Sequence, residues 1–365
     1  MKANPVAILR GHSAPGSVGR FKTSSTQCRR FTEGEMKITV ILCTFNQCQI
    51  LAKALDSVAR STLPDAVDWD VLVVDNNSSD LTPDVVRSYC QKYPGRFRYL
   101  FEPRPGKSYA LNSGICQARA DILAFLDDDV TVEPTWLQHL TAGLHNGEWA
   151  GAGGRIVLEW PSPIPPWLST RGPNARTPFP HFDEGQEAKE LTTPPFGTNM
   201  AFRKEVFEKH GCFRTDLGPS PSREVPCSND DTEFGRRLMD AGERLRYEPS
   251  AVVYHPVPPN RISKKYFLDW WFDEGRASIR AFGVRPGTKW YVAGIPLYLV
   301  RSLALWTIRW MVSLEPRARF YHKIVVWGKV GRIAECYALS REVKSRNHNP
   351  VPRRQSGCKS SHSGQ

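Results

Sequence analysis

The chain has 365 residues, 40% of them hydrophobic and 24% charged, which is ordinary globular material for one large domain with extensions or for two domains. Its formal charge of +12 invites nucleic acid or an anionic membrane as a partner, but much of the excess lies in the tails: Arg10, Arg20, Lys22, Arg29 and Arg30 at one end, Arg341, Lys344, Arg346, Arg353, Arg354 and Lys359 at the other. Nine cysteines without a Cys-x-x-Cys pair argue for reduced thiols in a cytosolic compartment and against a disulfide framework or a zinc site.

Residues 1–35 are rich in Ser, Gly, Thr and Arg, carry no apolar period and lack the apolar run of a secretory signal, so a disordered tail is predicted. Met36-Lys37 stands directly before the first strand, and Met36 is the expected native start. Ile38 to Leu42 reads as a buried strand, with Ile50, Leu51, Ala54, Leu55 and Val58 at helical spacing behind it. Val71 to Val74 is a second strand, and Thr82-Pro83 opens a helix. Arg98 to Phe101 is a third, and Lys107 leads into a helix with Ala110, Leu111, Gly114, Ile115 and Ala118 on one face. Ile122 to Leu126 is a fourth strand, apolar throughout and therefore buried on both faces. This alternation predicts a parallel sheet with helices on both sides.

The turn after strand one, Cys43 to Cys48, contains neither Gly-x-Gly-x-x-Gly nor a Gly-Lys-Ser/Thr loop, which argues against a dinucleotide-dependent dehydrogenase and a P-loop nucleotidase. Further on, Pro134 opens a helix carrying Trp136, Leu137, Leu140 and Leu144, and Gly154 to Trp160 reads as a strand. Residues 161–195 are proline-rich, with Trp167, Phe179, His181 and Phe182, and are expected to be a structureless lid or binding loop. Thr198 to Phe202 is a strand, Arg203 to His210 a helix, and His255 ends the strand Ala251 to Tyr254. Residues 291–314 are long and apolar but interrupted by Arg301 and Arg309. Eight residues of helix put these arginines about 80° apart, so an amphipathic helix at a membrane surface is predicted, with Trp306 and Trp310 near the headgroups.

The acids carry the chemistry. Asp127-Asp128-Asp129 follow the buried fourth strand directly and must sit at the carboxyl edge of the sheet, where open α/β sheets bind ligands. An isolated acidic run is usually a solvated turn; as a functional cluster beside a phosphorylated ligand it needs a divalent cation. If extended geometry persists, Asp127 and Asp129 share a face and Asp128 points away. Asp230-Asp231 precede a helix, and Ser228 lies three residues before Asp231, the spacing of a capping box; the functional alternative is a general base at the helix start.

The order Thr44-Phe45-Asn46, Asp75 to Asp80, Pro105-Gly106-Lys107 to Gly114, Asp127 to Asp129 as an Asp-x-Asp motif, Gly197-Thr198-Asn199 and Asp230-Asp231 resembles a family 2 glycosyltransferase. The resemblance covers residues 37 to about 260. It implies the α/β GT-A fold, a nucleotide-diphosphate sugar donor (a UDP-sugar first), a Mn or Mg ion, and inversion at the anomeric carbon. Carried over, Thr44 and Asn46 lie near the nucleotide and Asp75 hydrogen-bonds the base. Lys107 lines the nucleotide pocket, Asp127 meets the ribose, Asp129 and His255 hold the metal, and Asp231 is the base. Asn199 and Asp230 belong to the substrate-binding set, Asp230 standing where many members have Glu.

The domain expectation is a tail over 1–35, a catalytic domain over 36–260 with a nucleotide-binding half (36–130) and an acceptor half (131–260), a helical and membrane-associated extension over 261–340, and a basic disordered tail over 341–365. The acceptor expected is a saccharide or lipid-linked hydroxyl in bacterial-style polysaccharide or glycolipid assembly, with no nucleic acid. The expected location is the cytoplasm, peripheral on the inner membrane face. A sugar-1-phosphate nucleotidyltransferase would want a Gly-rich basic loop after strand one, which Cys43 to Cys48 does not supply. A basic nucleic-acid-binding protein would want basic residues interleaved with aromatics on an ordered face, which tails expected to be disordered do not offer.

Overall fold

The computed structural model describes residues 36–170, 172, 175–221 and 228–348. The expectations for the 1–35 tail, for a start at residue 36 and for the end of the basic tail fall outside these residues. Six cysteines lie among them, and all six are free thiols.

The chain opens with β1 (Met36–Thr44), α1 (Leu51–Ala59), β2 (Val67–Asp75), α2 (Thr82–Lys92), β3 (Phe97–Phe101), α3 (Lys107–Gln117) and β4 (Ile122–Leu126). It continues with β5 (Thr131–Val132), α4 (Trp136–Ala142), β6 (Gly151–Glu159), β7 (Lys189–Glu190), β8 (Asn199–Arg203), α5 (Glu205–His210), α6 (Asp230–Asp240) and β9 (Leu245–Pro256). A helical part follows: α7 (Lys264–Phe282), the small hairpin β10 (Tyr291–Val292) and β11 (Ile295–Pro296), α8 (Leu297–Val312) and α9 (Pro316–His348). α9 therefore carries the helical extension past the expected limit at residue 340.

The large sheet has the order β3-β2-β1-β4-β8-β6-β9-β5, with β7 on β9. β1 to β4 pair in parallel, as predicted, whereas β8 runs antiparallel to both β4 and β6. Alternation along β1 sorts the core: Ile38, Val40 and Leu42 pack with α1, α2 and α4, and Ile41 packs with α3, α5 and α6. Gly114 is what lets α3 lie on the sheet, because a Cβ there would stand 2.8 Å from Ile41 Cγ2. This mixed, mostly parallel sheet covered on both faces, followed by a helical part, is the GT-A architecture the resemblance implies.

Two expectations need correction away from the sheet edge. The 161–195 stretch is not a free loop: Phe182 bridges Ile156, β7 joins β9, and Leu168 and Phe179 sink into a cluster with Val257, Phe267, Phe320 and Ile324. Its aromatics have more apolar surface to bury than a solvated lid would expose. In α8, Arg301 and Arg309 are both exposed, but the tryptophans turn inward: Trp306 meets Tyr321 and His322, and Trp310 meets Trp327, all on α9. What α8 exposes instead is Leu305, Ile308, Met311 and Val312. Among the described residues, no helix is long and apolar enough to cross a membrane.

α7 and α9 meet backbone to backbone. A Cβ on Gly275 would collide with the Gly328 carbonyl, and one on Gly331 with the Phe272 carbonyl. The fully buried Glu335 of α9 is clamped there by Arg276 at 2.9 Å and by Arg280 at 2.5 Å.

Candidate active site

Register brings the predicted residues to one edge. Thr44 stands opposite Asp75 and Leu42 opposite Leu126, so β1, β2 and β4 end level and deliver Thr44, Asp75 and Asp127 side by side. β8 runs against β4 with Asn199 opposite Leu126, which places Thr198 beside Asp127; Thr198 Oγ1 donates to Asp127 Oδ2 at 2.6 Å. β5 runs against β9 with Thr131 opposite Tyr254, and this folds the 127–129 turn back onto His255.

At the ends of β1 and β2, the two turns hold each other. Asn46, at a φ of 52°, donates its N–H to Ser78 Oγ at 2.9 Å and accepts from Ser79 N–H at 2.8 Å. Asp75 is fully buried; it accepts from Ser78 N–H at 3.0 Å and from the Tyr99 hydroxyl at 2.8 Å, and burial together with this carboxylate pushes the Tyr99 hydroxyl up to about 12. Asp75 thus shapes the turn through both oxygens. Asn76 reaches the Glu102 and Arg104 carbonyls and accepts from Gly106 N–H, fixing the loop that presents Lys107. Gly106 sits at a φ of 135°, a conformation that favours glycine.

Lys107 Nζ is paired with Asp127 Oδ1. Burial alone would lower this ammonium's pKa, but Asp127 and Asp230 more than reverse the effect and hold it protonated. Burial likewise works to raise Asp127, and Lys107 and Thr198 outweigh it, so this carboxylate stays ionised. Lys107, Asp127, Gly197, Asp230 and Asp231 line one small cavity. A larger cavity of about 320 Å³, bordered by Gly147, Arg203, Lys209 and Glu243, lies at the opposite sheet edge, where Arg203 pairs with Ile122.

The acidic triplet departs from the alternation argument. β4 stops at Leu126 and Asp128-Asp129 form a turn, so the strand rule does not reach them. Asp128 lies near Thr44 but outside good hydrogen-bond geometry, leaving Thr44 Oγ1 unpartnered. Burial, with repulsion from Asp129 and Asp127, pushes the Asp128 carboxyl up to about 7. Asp129 is raised by burial and then by Asp127, with His255 pulling the other way.

His255 is buried, its Nδ1 lies 3.1 Å from the Pro256 carbonyl, and its Nε2 stands 3.7 Å from Asp129 Oδ2. A carbonyl can only accept, so Nδ1 carries a proton, and Nε2 faces the Asp129 carboxylate either as an N–H or as a lone pair. In the second state a cation belongs between the two groups, and a carboxylate–imidazole set suits Mn, as a carboxylate suits Mg.

At the start of α6 the capping box does not form. Ser228 Oγ donates to Glu274 Oε2 at 2.6 Å instead, and the cap position is Asn229 at a φ of 73°. Asp231 accepts from Gly197 N–H at 2.7 Å and from its neighbour Thr232 N–H at 2.6 Å, which holds its carboxylate at the cavity. Asp230 is buried beneath it, and burial and the charge of Asp231 raise its carboxyl to about 6.

Asn199 does not join the site and is corrected here. It is fully buried, accepting from Trp136 Nε1 at 2.8 Å and donating to the Arg155 and Ala251 carbonyls at 3.0 and 2.8 Å. These bonds leave it a structural tie inside the sheet. Residues the sequence reading passed over are Thr198, on Asp127, and Ser108 and Asn112, which bind the Leu217 carbonyl and both backbone groups of Phe213. Their signal was present: strand alternation puts Thr198 and Asn199 on opposite faces, and Ser108 and Asn112 are one helical turn apart.

Residues 39–211 match the sequence model of the family described as "Glycosyl transferase family 2". The chain is 26% identical over 287 residues to "Glycosyltransferase AglE" of Haloferax volcanii, covering 78% of this chain and 83% of that protein. It is 26% identical over 265 residues to "Succinoglycan biosynthesis protein ExoM" of Rhizobium meliloti, covering 71% and 81%. Among solved structures it is similar to "Mannosyltransferase PcManGT from Pyrobaculum calidifontis in complex with GDP-Man and Mn2+", with 19% identity, a TM-score of 0.48, and 86% and 76% coverage.

Proposed function

Through residues 39–211 the chain belongs to glycosyltransferase family 2, and we propose that it transfers a sugar from a nucleotide-diphosphate donor to an acceptor hydroxyl with inversion. The observation that carries this reading is the carboxylate set at the sheet's carboxyl edge: Asp127 neutralised by Lys107, Asp129 facing His255, and Asp231 held at the same cavity. Thr44, Asn46 and Asp75 would receive the nucleoside, Asp127 the ribose, and Lys107 would remain beside the diphosphate as its fixed positive charge. Asp129 and His255 would hold a Mn or Mg ion. When bound there, such an ion stabilises charge on the departing diphosphate as a Lewis acid.

Asp231 is the general base. It takes the proton of the acceptor hydroxyl as that oxygen attacks opposite the leaving group, so a single displacement inverts the carbon. Asp230 stays behind it, buried, its carboxyl raised to about 6, and sets the local charge. The 36–260 segment acts as the catalytic domain, with its nucleotide-binding half ending near residue 130. The name of the Rhizobium meliloti relative supports a role in polysaccharide assembly. The apolar outer face of α8 fits a peripheral membrane contact, and flotation with anionic liposomes, abolished on truncation at residue 288, is the expected result.

The test of function is a screen of nucleotide sugars with Mn or Mg, the product's anomeric configuration being read by NMR. Turnover of one donor with inversion is expected; retention of configuration would refute the single-displacement scheme.

A further inference from the structure

A second group of uncompensated charges lies outside the sheet edge, and its sign is opposite. Arg176 of the 161–195 stretch lies against Trp271 of α7, whose carbonyl faces Gly328 of α9, so it stands beside the turn of α9 that carries Lys329 and Arg332. Burial and then the neighbouring arginines lower the basicity of Lys329; on Arg176 burial and Arg332 act downward while Tyr321 and Glu274 act upward. None of the three makes an ion pair within 4.0 Å among the described residues. Glu274, a carboxylate whose charge reaches Arg176 and Arg332, accepts from Ser228 Oγ at 2.6 Å and Asn229 Nδ2 at 3.1 Å and from no cation within 4.0 Å among the described residues. The Arg176 guanidinium lies 3.8 Å from the Trp271 ring centre, and the buried Trp271 Nε1–H has no acceptor. Lys329 lies 5.8 Å from the ring of Trp306 on α8.

Cations with no carboxylate in ion-pair range, beside an orphaned donor, lack one thing, a ligand rich in acceptor oxygens and negative charge. The place is informative too. Glu274 feels both Arg332 and Asp231, so the cluster flanks the proposed base rather than the nucleotide side. Its other border is α8, where Leu305, Ile308 and Met311 are 63%, 52% and 62% exposed.

We propose that Arg176, Lys329 and Arg332 form a phosphate subsite on the acceptor flank, taking the phosphate or diphosphate of an anionic acceptor. The assignment rests on the glycosyltransferase reading for the word acceptor, but the binding itself does not. The apolar face of α8 beside the cluster favours a phosphate carried on a lipid; a phosphorylated soluble saccharide offers the same chemistry.

The experiment is calorimetric titration of the full chain with inorganic pyrophosphate in EDTA, so that a divalent ion at Asp129 cannot contribute. Wild type and Asp129→Asn are expected to bind alike, and Lys329→Gln and Arg176→Gln to bind about tenfold more weakly each. Melting curves accompany each variant: loss of a like charge should leave the midpoint unchanged or higher, and if Arg176→Gln loosens the packing on Trp271, Lys329→Gln carries the test alone. A wild type that does not bind, or variants that bind as well as it does, overturns the proposal. Flotation with phosphatidylcholine vesicles, with and without a polyisoprenyl phosphate, separates the sources. Retention that depends on Lys329 supports a lipid-borne phosphate, and pyrophosphate binding without such retention supports a soluble one. Because no turnover is read, failure here leaves the donor screen standing, and failure of the donor screen leaves the subsite standing.

Discussion

The sheet edge and the helical extension treat buried charge in opposite ways. At the edge, Asp127, Asp128, Asp129, Asp230 and Asp231 crowd around Lys107 and His255, an excess of anions. In the extension, Arg176, Lys329 and Arg332 have no carboxylate in ion-pair range among the described residues, an excess of cations, while Glu335, less than one turn beyond Arg332 on α9, is matched by two arginines. Buried charge that is matched holds a structure together, whereas buried charge that is unmatched is retained at a cost and points to an absent counter-charge. The Glu335 clamp is therefore architecture, and the two unmatched clusters are where ligands belong.

Breaking the matched cluster should have the largest effect on stability. Glu335→Ala strands Arg276 and Arg280 between α7 and α9, and a loss of about 3 kcal/mol in chemical denaturation is expected. Breaking the unmatched anionic cluster should do the reverse. Asp230 titrates at about 6, above its unfolded value of about 4, so the folded state binds this proton more tightly. Its contribution is thus present at low pH and lost as pH rises from about 4 to about 6. Asp230→Asn should stabilise the protein by about 1–2 kcal/mol at pH 7, have no effect near pH 4, and flatten the pH dependence between them. A destabilised Asp230→Asn at pH 7 would mean that Lys107 compensates the carboxylate fully. The smallest effect is expected in the cationic cluster: Lys329→Gln should raise stability by about 0.5 kcal/mol, since the amine is partly solvated.

The first, parallel half of the sheet was legible because period and spacing determine it. Short, mostly apolar runs at 38, 71 and 122, alternating with helical periods, read as strands buried on both sides, and a strand's last residue is where a following acid emerges. Legibility ended where backbone stopped being regular. Asp128 and Asp129 lie beyond the end of β4, so alternation did not assign their faces, and the proline-rich stretch hid how firmly Phe179 and Leu168 pack. Asn199 was misplaced for a different reason: motif order locates a strand but not which of two neighbours faces the cleft, and here Thr198 does. The α7–α9 contact through Gly275, Gly328 and Gly331 joins residues more than fifty positions apart, and no local pattern announces it.

The central claim is that the unmatched carboxylates divide their work, Asp231 for the proton and Asp129 for the donor. Parallel measurement of nucleotide affinity, with and without Mn, and of turnover tests it most directly. Asp231→Asn should bind nucleotide as wild type does while turnover falls by about 10³, and Asp129→Asn should lose the Mn-dependent part of the affinity. An Asp231→Asn enzyme with wild-type turnover, or an Asp129→Asn protein whose affinity still rises with Mn, would contradict it.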